Sequence, residues 1–173
     1  TWNALCAMAG EITVVSWERI RDELSRILTS GRSAHGFRLL HASGLLAAVL
    51  PVIAALEGVA QPPEFHPEGD CWVHNQMVLD EAARLRDGSA DDEALMFGAL
   101  LHDVGKPVST ETTDGRVRSL NHDVRGVALA ACFLERMRAP NELVARVGAL
   151  VEHHLAPALF VKNGATAKGY RRL

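Results

Sequence analysis

One short stretch decides how this chain is interpreted: Ala99-Leu100-Leu101-His102-Asp103-Val104-Gly105-Lys106-Pro107. An apolar helical run rarely ends in adjacent His and Asp unless the two side chains bind something, and Gly105 and Pro107 are typical of a helix end. Neutral imidazole and carboxylate together suit Mn, Fe, Ni, Co or Zn, with Mg possible where oxygen ligands dominate. The stretch therefore predicts a divalent-metal site at the end of a helix.

Other histidines on either side of this stretch fall at helix ends or at helical spacing from apolar residues. His74 shares a predicted face with Met77, Val78, Ala82 and Leu85, so we expect it to point inward. Four helices could then aim side chains at one point, which is how helical bundles build metal sites. Isolated histidines such as His35, His41 and His66 are expected to be surface or packed residues. The candidate metal ligands are His74, His102, Asp103, His122, His153 and His154.

The chemistry expected of such a site is hydrolysis of a phosphate ester. A bound ion lowers the pKa of a water molecule and polarises a phosphoryl oxygen. Asp103 would be both a ligand and an acceptor for the water's proton. Lys106 is either a solvated charge at a helix C-terminus or a catalytic contact to the phosphate. His122 with the His153–His154 pair would hold a second ion or bind the phosphate, and both roles stay open.

The apolar periodicity of the remaining chain predicts an all-α fold. Ala, Leu and Val dominate the apolar residues, and aromatic residues make up only 5% of the 173, which favours helix packing over a β-sandwich. A turn-rich connector at 58–70 separates a small helical module, 1–60, from a second domain, 61–173. Residues 108–120 predict a loop or a minor hairpin. The predicted helices are 16–28, about 33–43, 45–55, 73–85, 92–101, 123–137 and 141–154, with another beginning near 167.

Charge and cysteine content limit the function classes. The net charge of −3 gives no global basic field, so RNA contacts need a local patch and DNA is not expected. Three widely spaced cysteines argue against a disulfide framework and favour a reducing cytoplasm. The longest apolar stretch, 45–56, is interrupted by Pro51, and no signal peptide is seen, so no membrane partner is expected. The oligomeric state is left open.

The order His, His-Asp, His, His resembles the HD superfamily of metal-dependent phosphohydrolases. Glu64 to His74, Leu101 to Pro107, Asn121-His122-Asp123 and Arg138 to Leu143 look like the HD domain of bacterial tRNA nucleotidyltransferases, the CCA-adding enzymes of the poly(A) polymerase family. Upstream, Ile12 to Leu28 resembles the neck module of that family. Ala165 to Leu173 resembles the start of its next conserved helix.

This resemblance implies an HD helical bundle preceded by a neck module that binds RNA. It also implies phosphatase and 2′,3′-cyclic phosphodiesterase activity at RNA 3′ ends, with tRNA as partner. The family's nucleotidyltransferase head carries a Gly-Ser motif with paired aspartates, which nothing in this chain matches, so the chain alone is not expected to add CCA. A further aspartate ligand is expected beyond Arg171-Arg172-Leu173, and no Asp follows Asp123. The chain is expected to be a piece of a longer protein.

Two other functions compete with hydrolysis. The chain could be a non-catalytic tRNA-binding part of such an enzyme, or a stand-alone nucleotidase, which the neck-like N-terminus disfavours. The basic candidates for phosphate contacts could equally be a solvated helix face neutralised by Glu18, Asp22 and Glu23. These RNA-binding candidates are Arg19, Arg21, Arg26, Lys168, Arg171 and Arg172.

Overall fold

The helices follow the apolar spacing of the sequence, and the all-α prediction is confirmed. A computed structural model describes residues 1–171. Its helices are α1 (Trp2–Ala7), α2 (Trp17–Leu28), α3 (Ser33–Ala42), α4 (Leu45–Val49), α5 (Pro51–Ala54), α6 (Cys71–Leu85), α7 (Asp92–Leu101), α8 (His122–Arg136), α9 (Asn141–His153), α10 (Ala156–Lys162) and α11 (Ala167–Tyr170). Short 3₁₀ segments occupy Ala9–Val14 and Lys106–Val108. The short helices α1 and α10 were not predicted.

Helix α2 shows how local sequence sets the N-terminal module. Ile20, Leu24 and Leu28 are spaced four residues apart and are all buried, so the helix presents one apolar stripe to the core. Ser16 precedes the helix in an extended conformation, but its side chain makes no capping hydrogen bond. The predicted helix over 45–55 is wrong in one respect, because Pro51 lacks an N–H and begins a separate helix, α5.

The segment after the His-Asp pair forms a two-stranded antiparallel hairpin, one of the two predicted alternatives. Strand β1 (Thr110–Thr113) pairs with β2 (Arg116–Ser119), and Thr110 lies opposite Ser119. Asp114 and Gly115 form the turn with φ values of 52° and 72°. Positive φ at both central residues matches the twist of the strands, which is why Asp-Gly is favoured there.

A continuous apolar core runs from the N-terminal helices into the second half of the chain. It extends from Ile20 on α2 through Phe97 on α7 to Val151 on α9. Polar contacts also join the halves: Ser25 Oγ donates to Glu93 at 2.6 Å, and Arg21 donates to the carbonyl of Arg138 at 2.6 Å. The domain boundary near residue 60 stays a prediction, and the packing across it is extensive.

Helix α6 buries only part of the face that its sequence suggested, since Ala82 is buried and Val78 half-buried. Met77 and Leu85 are 52% and 73% exposed, whereas Asn75, Gln76 and Leu79 are buried. The inward face is therefore rotated from the predicted one, and Met77 and Leu85 line an open groove instead.

One stretch within the described residues, Asn141–Lys162, is long and apolar enough by length and composition to cross a membrane. It is not a continuous helix, because α9 ends at His153 and α10 begins at Ala156. Its buried residues Leu143, Val147 and Val151 belong to the core. The expectation of no membrane partner stays a prediction.

Candidate metal centre

Four helix ends bring imidazoles around the carboxylate of Asp103. His74 lies in the first turn of α6, His102 and Asp103 follow α7, His122 begins α8, and His154 follows α9. The imidazole Nε2 atoms of His102 and His74 lie 3.1 and 3.9 Å from Asp103 Oδ2. Those of His122 and His154 lie 3.4 and 3.8 Å from Oδ1. We call these five residues the metal cluster.

Gly105 makes this convergence possible. A Cβ at this position would overlap the carbonyl oxygen of His122 and lie 2.8 Å from the backbone nitrogen of Gly126. Only a residue without a side chain lets the turn after α7 pack directly on the first turns of α8. The turn itself is closed by a hydrogen bond from the Lys106 amide to the Asp103 carbonyl at 2.9 Å.

The hydrogen bonds on the far side of each ring fix its tautomer. The Nδ1 atoms of His102, His122 and His154 lie 2.8, 2.7 and 2.6 Å from the carbonyl oxygens of Ala99, Ser119 and Val151. A carbonyl oxygen only accepts, so Nδ1 carries the proton and donates it. In the neutral ring, Nε2 is then left with a lone pair facing Asp103.

His74 follows the same pattern with a carboxylate in place of a carbonyl. Its Nδ1 lies 2.6 Å from Glu68 Oε1. Metal-binding histidines in proteins are commonly held this way, with the outer nitrogen donating to a carbonyl or carboxylate. All four rings of the metal cluster are thus presented with Nε2 as the ligand atom.

Two features of the metal cluster fit a bound cation. His122 Nε2 and His154 Nε2 lie 3.2 Å apart, and two facing lone pairs at that distance repel unless a proton or a cation lies between them. Asp103 Oδ2 is buried, and no donor meets it with hydrogen-bond geometry, although Lys106 Nζ lies 2.8 Å away. The donor atoms of His74, His102 and Asp103 lie within 4.8 Å of one another, as do those of Asp103, His122 and His154. The residues of these two groups could therefore hold one or two divalent ions.

The electrostatics keep Asp103 ionised and two of the rings neutral. Burial alone would raise the pKa of Asp103, but His102, His122 and Lys106 together hold it far below its usual range. Burial lowers the pKa of His74 and of His154, which favours the neutral form that binds metal. Burial also opposes charge on His122, but its contacts with Asp103 and the Ser119 carbonyl outweigh it and raise its pKa.

Lys106 is not a solvated helix-end charge, so that interpretation is wrong. The residue is only 7% exposed, and its Nζ lies 2.8 Å from Asp103 Oδ2 and donates to Gln61 Oε1 at 2.6 Å. An ammonium held beside the metal cluster is positioned to meet an anionic ligand. Its contact with phosphate stays a prediction.

Sequence reasoning missed Glu68, whereas His66 is half-buried and packed, as the sequence predicted. His66 Nδ1 lies 3.0 Å from Glu68 Oε1, and its ring centroid lies 4.7 Å from that of His74. Burial would raise the pKa of Glu68, but hydrogen bonds from its own backbone and from His66 and His74 lower it to about 2. The available signal was the density of His and Glu side chains just before His74.

His153 lies outside the metal cluster. It is exposed at the end of α9 and lines a depression with Asp91, Arg146 and its neighbour His154. Adjacent helical residues point in directions about 100° apart, so only one of the His153–His154 pair can face Asp103. The structure gives that position to His154.

The RNA-binding candidates are scattered. Arg21 is bound to Asp22 and to the Arg138 carbonyl, and Arg26 is paired with Glu23 at 2.7 Å, as the solvated-face alternative expects. Arg19 lines a cleft on α2, and Lys168 and Arg171 are exposed near the C-terminus. Arg172 lies outside the described residues. Their role in RNA binding stays a prediction.

The helical bundle and the histidines around a central His-Asp pair place this chain in a class of proteins. Its members are all-helical, with a central cluster of His and Asp side chains that could hold a metal ion. Residues 72–160 match the family model described as "HD domain", and residues 1–56 match the one described as "Probable RNA and SrmB- binding site of polymerase A". The chain belongs to the HD domain family.

Curated relatives agree with this assignment. A "Multifunctional CCA protein" of Xanthomonas campestris pv. campestris (strain B100) is 41% identical over 136 residues, 79% of this chain and 32% of the relative. Proteins of the same name from Thioalkalivibrio sulfidiphilus and Burkholderia pseudomallei are 41% and 40% identical over 77% and 78% of this chain, and 31% of each relative. The chain thus spans about a third of the length of these relatives. The resemblance to the tRNA nucleotidyltransferase and poly(A) polymerase family is confirmed.

Proposed function

We propose that this chain is a metal-dependent phosphohydrolase that acts on phosphate esters at RNA 3′ ends, of the phosphatase or 2′,3′-cyclic phosphodiesterase type. The observation that carries the proposal is the set of four imidazoles, all presenting Nε2 to one buried carboxylate. We further propose that the whole protein is a tRNA nucleotidyltransferase, which the name "Multifunctional CCA protein" of its relatives supports, and that it is cytoplasmic.

The metal would be held by His74, His102, Asp103, His122 and His154, and would supply an acidified water and a polarised phosphoryl oxygen. Mn, Ni, Co, Fe, Zn and Mg all remain candidates, with the imidazole-rich set favouring the transition metals. The chain's own groups do the rest. Lys106 Nζ neutralises charge that develops on the phosphate, and Asp103, ionised at neutral pH, accepts a hydrogen bond from the attacking water and orients it.

The direct experiment measures metal content and hydrolysis of 2′,3′-cyclic AMP with added Mn²⁺, Ni²⁺ or Mg²⁺. We expect Asp103→Asn to bind no stoichiometric metal and to reduce turnover by at least about 100-fold. The reason is that Asp103 belongs to both groups of three candidate ligands, and asparagine lacks its negative charge. The matched control is Asp80→Asn, at an exposed position of α6, which should behave as wild type. Equal turnover in Asp103→Asn and wild type would contradict the proposal.

A second function is favoured by the RNA-binding family match over residues 1–56. In that case the chain is a non-catalytic tRNA-binding part of the larger protein. The same preparation separates the two: salt-dependent tRNA binding with no hydrolysis under any metal would support binding alone.

A further inference from the structure

A second cleft adjoins the metal cluster and has a different chemical character. One wall is the loop of residues 62–65, and the other is the turn and second strand of the hairpin, residues 115–118. The cavity measures about 480 Å³. We call it the hairpin cleft.

The hairpin cleft lies next to the cavity of the metal cluster, and the two share one lining residue. On the loop, Pro62 lines both cavities, and His66 faces the cluster while its neighbour Phe65 faces the cleft. On the hairpin, Ser119 lines the cluster while Arg118 lines the cleft. Consecutive residues of the chain, Phe65 and His66 on the loop and Arg118 and Ser119 on the hairpin, therefore line the two sites.

The groups in the hairpin cleft are an exposed aromatic ring and two arginines. Phe65 is 78% exposed, and the amides of Phe65 and His66 both bond to the Pro62 carbonyl, at 3.1 and 3.0 Å. This turn fixes the backbone of the loop at Phe65. Arg116 and Arg118 are two residues apart on β2 and therefore project from the same face of the strand.

Both arginines are unengaged, in contrast to Arg21 and Arg26. Within residues 1–171, neither Arg116 nor Arg118 makes a side-chain hydrogen bond or an ion pair. Glu111 lies opposite Arg118 in the strand register, and Glu64 lines the other wall, but neither pairs with these arginines. Two guanidinium groups beside an open ring are the combination that binds single-stranded nucleic acid, through phosphates and base stacking.

We propose that the hairpin cleft binds the nucleotides next to the reacting 3′ end of a single-stranded RNA. Phe65 stacks on a base, and Arg116 and Arg118 contact the phosphates of the strand. The direction of the strand, with its terminal phosphate in the metal cluster, rests on the proposed function. An acidic peptide would satisfy the arginines but would leave Phe65 exposed, so RNA fits the cleft better.

Binding tests the cleft without any need for turnover. Fluorescence anisotropy of a labelled RNA hexamer would be measured across a salt series for wild type, Phe65→Ala and the double variant Arg116→Ala/Arg118→Ala. We expect Phe65→Ala to weaken binding about 5- to 150-fold, the worth of one base stack. The double variant should also reduce the slope of log K against log salt by about 1.4, at about 0.7 per lost contact to a single strand.

Matched substitutions on α6 serve as controls. Leu85→Ala removes an equally exposed apolar side chain, and Arg84→Ala removes an exposed arginine paired with Glu81. Both controls should bind as wild type does. RNA binding that is unchanged in all variants, or a polyglutamate peptide that binds as tightly as the hexamer, overturns the proposal.

Kinetics then separate failure of the cleft from failure of the proposed function. The KM for a hexamer ending in a 2′,3′-cyclic phosphate should rise at least about fivefold in Phe65→Ala, while KM for 2′,3′-cyclic AMP stays unchanged. Hydrolysis of both substrates with no change in either KM overturns the cleft alone. No hydrolysis of either, with weaker hexamer binding in the cleft variants, overturns the hydrolase and supports the cleft.

Discussion

At the scale of single residues, the informative feature is which nitrogen each histidine turns inward. His102, His122 and His154 are oriented by backbone carbonyls three residues earlier in the chain, at Ala99, Ser119 and Val151. A local i to i−3 contact of this kind comes with the helix end or turn that carries it. His74 differs, because its orientation depends on a single side chain, that of Glu68.

We therefore expect Glu68→Ala to weaken metal binding about 10- to 100-fold, the usual effect of removing an outer partner of a ligating histidine. Glu68→Gln keeps an acceptor oxygen and should recover part of the affinity. Isothermal titration with Mn²⁺ or Ni²⁺ measures both. Glu64→Ala, an exposed glutamate on the same loop, should bind metal as wild type does; an equal loss in the control would show that the loop, and not the hydrogen bond, matters.

The site was predictable residue by residue only where helical periodicity or adjacency places a side chain. His102 and Asp103 follow from the motif at the end of α7, and His154 follows from its spacing to Val147 and Val151. His153 was assigned with its neighbour although one ring alone can face the centre. Glu68 and His66 lie in a loop with no period, so no spacing rule indicates that they reach His74.

At the scale of elements, the metal cluster depends on how closely the turn after α7 approaches α8. Gly105 and Gly126 meet at this contact, with the position of a Gly105 Cβ already occupied by backbone of α8. Backbone atoms cannot rotate away as a flexible side chain can. This contact fixes the distance between the His-Asp pair and His122.

Gly105→Ala should therefore destabilise the fold by roughly 2–4 kcal/mol, as expected for overpacking against backbone, and should also weaken metal binding. Gly148→Ala is the control, because its Cβ would meet only Val127 at an ordinary 3.8 Å and alanine favours a helix by up to about 1 kcal/mol. Urea unfolding measures both changes. A Gly105→Ala variant as stable as wild type would mean that the turn can move away from α8.

The element boundaries were mostly predictable, because apolar periodicity and turn residues act locally. The hairpin was expected only as one alternative, since its Thr-rich strands lack an apolar face. The inward face of α6 was predicted only in part. Ala82 is buried, but Met77 and Leu85, which look like core residues in sequence, are exposed, and the buried positions include the polar Asn75 and Gln76. The side-chain nitrogen of Asn75 donates there to the carbonyl of Leu100 at 2.9 Å, a long-range contact that no local pattern contains.

At the scale of the whole molecule, the division at the 58–70 connector does not coincide with a gap in packing. Trp17 of α2 carries the guanidinium of Arg136 of α8 over its ring at 4.2 Å, and Trp72 of α6 stacks on His41 of α3 at 4.9 Å. Trp17 and Trp72 thus both lie at contacts between the N-terminal module and the second half of the chain. The shared apolar core runs through the same region.

From this packing we expect a single cooperative unfolding transition. In the variant Trp17→Phe, fluorescence reports on Trp72, and in Trp72→Phe it reports on Trp17. In each variant, the urea midpoint measured by fluorescence should coincide with the midpoint measured by far-UV circular dichroism. Trp2 contributes a common background in both, since it is 45% exposed on α1. Two separated midpoints within one variant would instead show that residues 1–60 and the remainder fold as independent units. In that case the contacts of Trp17 and Trp72 join two stable modules, and the metal cluster should survive removal of residues 1–60. If each variant shows one midpoint, removing residues 1–60 should unfold the metal cluster as well, because the core that supports α6 and α7 is lost with these residues.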